Sequence, residues 1–173
     1  SYDFVADDGK LTAGKPAQAI EDRIAQVTQE AYDNGDYIFV AMDRHDEGDT
    51  FHPETKLFPP HNIAGTFGRE LYGKLASVYD AIKDDNRVFW MDKRHYSAFS
   101  GTDLDIRLRE RRVTTVVLTG VLTDICVLHT AIDAYNLGYD IEVVASATAS
   151  LTPEAHDFAI GHFKNVLGAT IVE

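Results

Sequence analysis

The sequence predicts an α/β protein of three layers, with a mainly parallel central sheet covered by helices on both faces. Short apolar, β-branched segments alternate with segments of helical periodicity along the 173 residues, a pattern typical of parallel sheets. No repeat or Pro/Gly-rich linker divides the chain, so we expect residues 1–173 to form a single domain. Asp43 and Cys126 each follow a predicted strand, and ligands bind at these carboxyl ends in such folds.

The first half of the chain predicts two helices, two strands and one long loop. Pro16 suits the first turn of a helix, and Asn34 with Gly35 suits its end. In order, the predicted elements are a helix from Pro16 to about residue 34, a strand at 37–42, a loop at 43–66, a helix at 68–82 and a strand at 87–91. A loop of this length inside a compact domain is usually functional.

The second half predicts a strand that leads directly into a helix. Thr123 is a suitable N-cap for that helix, and Asp124 favours its first turn. Its expected buried stripe consists of Ile125, Leu128, Ile132 and Tyr135. In order, the predicted elements are a helix at 103–111, a strand at 113–122, the helix ending at Gly138, a strand at 140–145, a helix at 153–164 and a strand at 169–172.

The beginning of the chain does not fit this alternation. Residues 1–4 have a loop-like sequence, whereas an α/β sheet of this kind usually begins with a central strand. No such strand is visible in this sequence, so the first strand of the expected fold is missing from it.

Composition excludes several functional classes. The net charge is −12, and no basic block offsets it, which argues against binding to nucleic acids or anionic membranes. No apolar run is long enough to span a bilayer. A single cysteine cannot form an internal disulfide, so we expect a reducing, cytoplasmic environment.

The long loop contains a possible metal site without thiolate ligands. Asp43 and His45 are two residues apart at a strand end, so both side chains point to one side in extended backbone. Glu54 and His61 follow in the same loop. Carboxylate and imidazole ligands suit zinc, iron(II) or manganese, although surface Asp and His in a polar loop are also common. His52 is a rival ligand, but a His-Pro turn is more often exposed to solvent.

Cys126 and Lys93 are candidates for chemistry at the same edge of the sheet. A thiol in the first turn of a helix has a lowered pKa, because the helix N-terminus favours anions. The alternative is a small buried core residue, which is the commoner role of a lone cysteine. Lys93 follows the strand at 87–91, although most lysines are simply solvated.

Taken in order, these segments resemble the isochorismatase-like cysteine hydrolases, and within them the bacterial nicotinamidases, also called pyrazinamidases. The resemblance covers essentially the whole chain. The segments that carry it are 43–45, 58–62, 65–68, 93–99, 102–104, 120–127, 130–131 and 133–134.

The resemblance implies a Cys-Lys-Asp triad in which Cys126 is the nucleophile and Lys93 is the lysine. The aspartate of the family ends the first strand, at a position upstream of Ser1, and we do not assign its role to Asp3. The resemblance also implies a cis peptide between Val121 and Leu122. It assigns the backbone N–H groups of Leu122 and Cys126 to the oxyanion.

The resemblance further implies one divalent metal ion held by Asp43, His45 and His61, with Glu54 as a fourth ligand. Zinc is the expected ion, and iron or manganese are the alternatives. By family position, the aromatic walls for a flat substrate ring are Phe4, Phe58 and Tyr96, each of which could instead be core packing.

The implied reaction converts nicotinamide to nicotinic acid and ammonia through a Cys126 thioester, in NAD salvage, and pyrazinamide to pyrazinoic acid. One alternative is a hydrolase of another small amide or a carbamoyl compound. A second is a catalytically incomplete module that binds metal or nicotinamide, and a third is a redox-sensing thiol. Members of the family range from monomers to tetramers, so a homo-oligomer is compatible with the sequence.

Overall fold

The computed structural model describes residues 1–173, and the chain divides into two compact units. The first unit comprises Ser1–Arg94 and the second His95–Glu173. Neither unit contains a helix with the length and apolar character needed to cross a membrane.

The first unit contains four helices and a pair of parallel strands. Its elements are α1 (Tyr2–Val5), α2 (Lys15–Ala19), α3 (Glu21–Asp33), β1 (Ile38–Asp43), α4 (Gly73–Ile82) and β2 (Val88–Lys93). Two short 3₁₀ turns, Pro53–Lys56 and Phe67–Arg69, lie in the long connection from β1 to α4. The parallel register of β1 and β2 places Asp43 beside Lys93, where both strands end.

Three features of the first unit differ from the sequence prediction. The loop-like start is a short helix, α1. The single helix predicted from Pro16 is divided at Ile20 into α2 and α3. The helix predicted at 68–82 begins only at Gly73, which has a φ of 57° and where a Cβ would collide with the Glu21 carboxylate. That carboxylate also accepts a hydrogen bond from the Lys74 N–H at 2.9 Å, so it caps α4 from a distant helix.

The second unit is a three-stranded parallel sheet with three helices. Its elements are α5 (Leu104–Glu110), β3 (Thr115–Val121), α6 (Leu128–Leu137), β4 (Asp140–Ala149), α7 (Pro153–Asn165) and β5 (Thr170–Val172). The strand order is β3-β4-β5. A π-helical turn, Thr123–Val127, joins β3 to α6, and Gly138 ends α6 in the left-handed conformation.

The core of the second unit is built largely from small side chains. On α6 the buried face consists of Leu128, Thr130, Ala131 and Ala134, and the two alanines are fully buried. Tyr135, predicted in the buried stripe, is 53% exposed, so that part of the prediction is wrong. On α7, Phe163 is fully buried and is the largest such side chain of the chain.

The predicted fold class is confirmed, because parallel sheets combine with helices in both units. That residues 1–173 form a single domain stays a prediction.

Candidate functional site

In the first unit, three predicted metal ligands converge. Asp43 ends β1, His45 follows two residues later, and His61 lies further along the loop. One ligand atom from each residue lies within 4.8 Å of the others, and all three side chains are buried. Such a set of one carboxylate and two imidazoles can hold a divalent cation.

The backbone brings the loop back to His45. The His45 N–H donates to the carbonyl of Asn62 at 3.0 Å, and the His45 carbonyl accepts from the Ala64 N–H at 2.8 Å. These bonds form an isolated parallel bridge between His45 and Ile63. The bridge explains how two ligands separated by 16 positions in sequence become neighbours.

The ring of His61 is oriented by a backbone carbonyl. Its Nδ1 lies 2.8 Å from the carbonyl oxygen of Pro59. Because a carbonyl only accepts, Nδ1 carries a hydrogen, and the neutral form of the ring has its lone pair at Nε2. The Nε2 atoms of His45 and His61 are both buried without a hydrogen-bond partner. Buried polar atoms normally have partners, so this arrangement fits a bound cation.

Glu54, the predicted fourth ligand, lies beside this set. Its Oε2 lies 3.8 Å from Nε2 of His45 and 3.6 Å from Nε2 of His61. Burial by itself raises the pKa of Glu54, but the His61 and His45 rings outweigh it, so the pKa is lowered and the carboxylate stays ionised. Burial lowers the pKa of His45, which favours the neutral imidazole needed for ligation.

The pKa of His61 moves in the opposite direction. Burial lowers it, but the neighbouring Glu54 carboxylate and the Pro59 carbonyl outweigh burial, so the pKa is raised. The raised pKa favours the protonated form of the His61 ring beside the Glu54 carboxylate.

His52 is buried, so the expectation of a solvent-facing turn is wrong. Its Nε2 donates to the Arg94 carbonyl at 2.6 Å, and its Nδ1 accepts from the Glu54 N–H at 3.3 Å. Both ring nitrogens therefore have protein partners, which favours a structural role that positions Glu54 over a role as ligand.

Lys93 is buried rather than solvated. It ends β2 beside Asp43, and its ammonium forms an ion pair with the Asp43 carboxylate. The Arg69 guanidinium donates to the backbone carbonyl of Asp43 at 2.9 Å and also pairs with Asp92. The predicted lysine and the first predicted metal ligand thus share one buried charge pair.

Two of the three predicted aromatic walls contact the ring of His61. The centroid of Phe4 lies 5.5 Å from that of His61, and the centroid of Phe58 lies 6.2 Å from it. Tyr96 belongs to the second unit, where its ring lies 5.2 Å from that of His129.

In the second unit, Cys126 lies in the π-helical turn that follows β3. The thiol residue is partly exposed. Turns of this type occur frequently at functional sites. The peptide between Val121 and Leu122 is cis, as predicted.

Hydrogen bonds from three other segments anchor this turn. The Thr130 hydroxyl donates to the Cys126 carbonyl at 2.7 Å and accepts from the Ala98 N–H at 3.0 Å. Thr123 was predicted as the N-cap, but Leu122 occupies that position. The Thr123 hydroxyl instead forms a hydrogen bond with Nδ1 of His156 at 2.9 Å.

The third anchor is Ser150, which follows β4 and donates to the Asp124 carboxylate at 2.7 Å. Sequence reasoning missed Thr130, His156 and Ser150 because their roles depend on contacts distant in sequence. It missed Asn62 and Arg69 in the first unit for the same reason.

The chain is similar to known proteins in both sequence and structure. Residues 3–172 match the Isochorismatase domain family. The chain is 54% identical to the uncharacterized isochorismatase family protein PncA of Bacillus subtilis, over 99% of this chain and 93% of that protein. The chain belongs to the isochorismatase family.

Crystal structures of other proteins resemble this isochorismatase-family protein closely. The pyrazinamidase/nicotinamidase of Streptococcus mutans is 80% identical, with a TM-score of 0.98 over 99% of this chain and 95% of that chain. The pyrazinamidase of Pyrococcus horikoshii, solved in complex with zinc, is 26% identical, with a TM-score of 0.85 over 99% of this chain and 93% of that chain.

Proposed function

We propose that this isochorismatase-family protein is a nicotinamidase, which hydrolyses nicotinamide to nicotinic acid and ammonia and pyrazinamide to pyrazinoic acid. The observation that carries the proposal is the 80% identity, over 99% of the chain, to the pyrazinamidase/nicotinamidase of Streptococcus mutans. The buried Asp43, His45 and His61 set supports a metal-containing member of the family. Because nicotinic acid is a precursor of NAD, we assign the reaction to NAD salvage.

In the proposed reaction, Cys126 is the nucleophile. The thiolate attacks the carboxamide carbon, the C–N bond breaks, and ammonia leaves with the proton taken from the thiol. Water then hydrolyses the thioester to nicotinic acid and regenerates the thiol. The partial exposure of Cys126 and its place at the carboxyl end of β3 support this role.

Lys93 and an aspartate activate the thiol in this proposal. An ammonium group near the thiol favours the thiolate, and the burial of Lys93 reduces solvent screening of its charge. By resemblance, the proton acceptor is the aspartate that ends the first strand in this family. Asp3 is not a substitute, because its carboxylate already accepts hydrogen bonds from the Asn62 and Lys10 N–H groups.

The backbone N–H groups of Leu122 and Cys126 are the proposed donors to the oxyanion that forms on the carboxamide oxygen. One such donor typically lowers the barrier by about 2.7–4 kcal/mol. Cys126 belongs to the turn that Thr130 anchors, and Leu122 directly precedes that turn, so both donors lie on a hydrogen-bonded segment.

The proposed metal ligands are Asp43, His45, His61 and Glu54, and the proposed ion is zinc, with iron or manganese as alternatives. When bound, the ion supplies a Lewis acid that can accept the pyridine nitrogen of the substrate. Phe4 and Phe58 flank His61 and would contact the flat ring, and Tyr96 is proposed as a further wall.

Substrate comparison tests this assignment. The full-length protein is assayed for ammonia release from nicotinamide, pyrazinamide and benzamide, before and after treatment with a metal chelator. We expect turnover of the two amides that carry a ring nitrogen, little turnover of benzamide, and loss of activity with chelator that added zinc restores. Equal turnover of benzamide contradicts the assignment.

A further inference from the structure

Asp3 is a buried carboxylate that the proposed reaction does not use. It is 5% exposed, although it lies in the short helix α1 near the beginning of the described chain. A buried carboxylate needs hydrogen-bond donors, and Asp3 has two from the backbone. Its Oδ2 accepts from the Asn62 N–H at 2.8 Å, and its Oδ1 accepts from the Lys10 N–H at 3.2 Å.

Asn62 is the residue through which Asp3 reaches both imidazoles. It directly follows His61, and its carbonyl accepts the hydrogen bond from the His45 N–H at 3.0 Å. Asn62 therefore bonds to the Asp3 carboxylate through its N–H and to the His45 N–H through its carbonyl. Asn62 also has a φ of 46°, a left-handed conformation that is uncommon outside glycine. The Asp3 carboxylate secures this conformation because it binds the N–H of the same residue.

Two glycines make room for Asp3. A Cβ on Gly68 would collide with the Asp3 carboxylate, and a Cβ on Gly9 would collide with the Asp3 backbone carbonyl. Neither glycine has a positive φ, so the close approach of Asp3, and not the backbone conformation, explains why a residue without a side chain is needed there. The close fit fixes the carboxylate on three sides, which are the two N–H donors and Gly68.

We propose that Asp3 is a positioning residue for the metal ligands, which sets the separation of His45 and His61 through the backbone of Asn62. The inference rests on the proposed function in one respect, that the ligand set binds a divalent ion. Residues that orient metal ligands typically change metal affinity by about 10- to 100-fold when replaced. In this proposal, Asp3 acts through the backbone of the loop that carries His45 and His61, and it contacts neither substrate nor ion.

Two substitutions perturb this contact in different ways. In Asp3→Asn, only one side-chain oxygen remains for two N–H donors, so one donor faces an NH₂ group. In Gly68→Ala, Asp3 keeps its carboxylate and charge, but the new methyl group pushes the carboxylate out of its position. The matched controls are Asp8→Asn, an exposed carboxylate of the same segment, and Gly161→Ala, where a Cβ meets no atom within 4 Å.

The measurement is the zinc dissociation constant of the metal-depleted full-length protein, in competition with a chelating dye. The visible spectrum of bound cobalt(II) reports the ligand geometry, and circular dichroism reports the folded state. We expect zinc binding about 10- to 100-fold weaker and altered cobalt bands in Asp3→Asn and Gly68→Ala, with both controls within about twofold of wild type.

The outcomes separate this inference from the proposed function. Tight zinc binding by wild type with the same affinity and spectrum in both variants overturns the role of Asp3 alone. Absence of zinc binding by wild type overturns the metal ligand set and this inference with it. Loss of the folded state in both variants also contradicts the proposal, because it assigns Asp3 to the ligand loop and not to folding.

Discussion

Replacing Tyr139 by phenylalanine removes the hydroxyl of a buried tyrosine that is bonded to a partly exposed carboxylate in the second unit. The Tyr139 hydroxyl donates to the Asp105 carboxylate at 2.7 Å, and the residue is 5% exposed. Hydrogen bonds to charged groups contribute about 1.5–3 kcal/mol to stability. The ring keeps its contact with the Arg109 guanidinium, 4.3 Å from its centroid, so we expect Tyr139→Phe to lower the free energy of unfolding by about that amount at neutral pH.

The pH dependence of this loss follows from the pKa of Tyr139. Burial, together with the hydrogen bond to Asp105, raises that pKa from 10.0 to about 12. A raised pKa means that the stabilisation is complete below the unfolded value of 10.0 and is lost as the pH rises through the folded value. At about 1.36 kcal/mol per pKa unit, the difference between wild type and Tyr139→Phe should shrink by about 1.4 kcal/mol between about pH 9 and pH 11.

Urea unfolding of both proteins across this pH range measures the effect. Tyr135→Phe is the matched control, because Tyr135 is a tyrosine of the same unit that is 53% exposed. Its unfolding free energy should stay within about 0.5 kcal/mol of wild type. A difference for Tyr139→Phe that does not change with pH would refute the reasoning from the pKa.

Two further predictions concern the proposed metal ligands and the core. His45→Ala should remove the bound metal and raise the KM for nicotinamide while the protein stays folded, because it deletes one of two buried Nε2 atoms proposed as ligands. Elemental analysis and steady-state kinetics measure these effects, and unchanged metal content would contradict the ligand assignment. Phe163→Ala should lower the free energy of unfolding by about 3–5 kcal/mol, because the ring is fully buried. Phe158→Ala on the same helix is the control in chemical denaturation, since Phe158 is 65% exposed, and an equal effect of both changes would show that burial does not determine the loss.

The sequence predicted the order of strands and helices well, and its errors have local physical causes. The predicted strand at 140–145 continues in the structure to Ala149. Near its end, Ala147 and Ala149 are of a residue type that is depleted in strands, and the pairing of Thr148 with Gly120 and of Ala149 with Val121 of β3 keeps this part of the strand in the sheet. The exposure of Tyr135 has a similar origin, because Ala131 and Ala134 provide the buried face that larger residues were expected to form.

The candidate site was predictable where its geometry is local. The alternation of side chains at a strand end was sufficient to place Asp43 and His45 together, and the helix start after β3 was sufficient to place Cys126 in a turn. The convergence of His61 with this pair depends on a bridge between two distant segments, and the resemblance to a family supplied it instead.

General tendencies of residue types misled at two positions. Most lysines are solvated and most His-Pro turns are exposed, but Lys93 and His52 are both buried. Lys93 is buried because the register of two parallel strands places it beside Asp43. His52 is buried because its two ring nitrogens bond to the backbone of Arg94 and Glu54. Asp43 and Arg94 are distant in sequence from the residues they contact, so these contacts could not be recognised from the local sequence.

The most direct test of the proposed function is product formation by the full-length wild-type protein and its Cys126→Ala variant. Both are incubated with nicotinamide, nicotinic acid and ammonia are quantified, and the metal content of each protein is measured. We predict equimolar nicotinic acid and ammonia from wild type, and neither product from Cys126→Ala at unchanged metal content. Continued release of ammonia by Cys126→Ala would contradict the assignment of Cys126 as the nucleophile, and absence of both products from wild type would contradict the proposed activity itself.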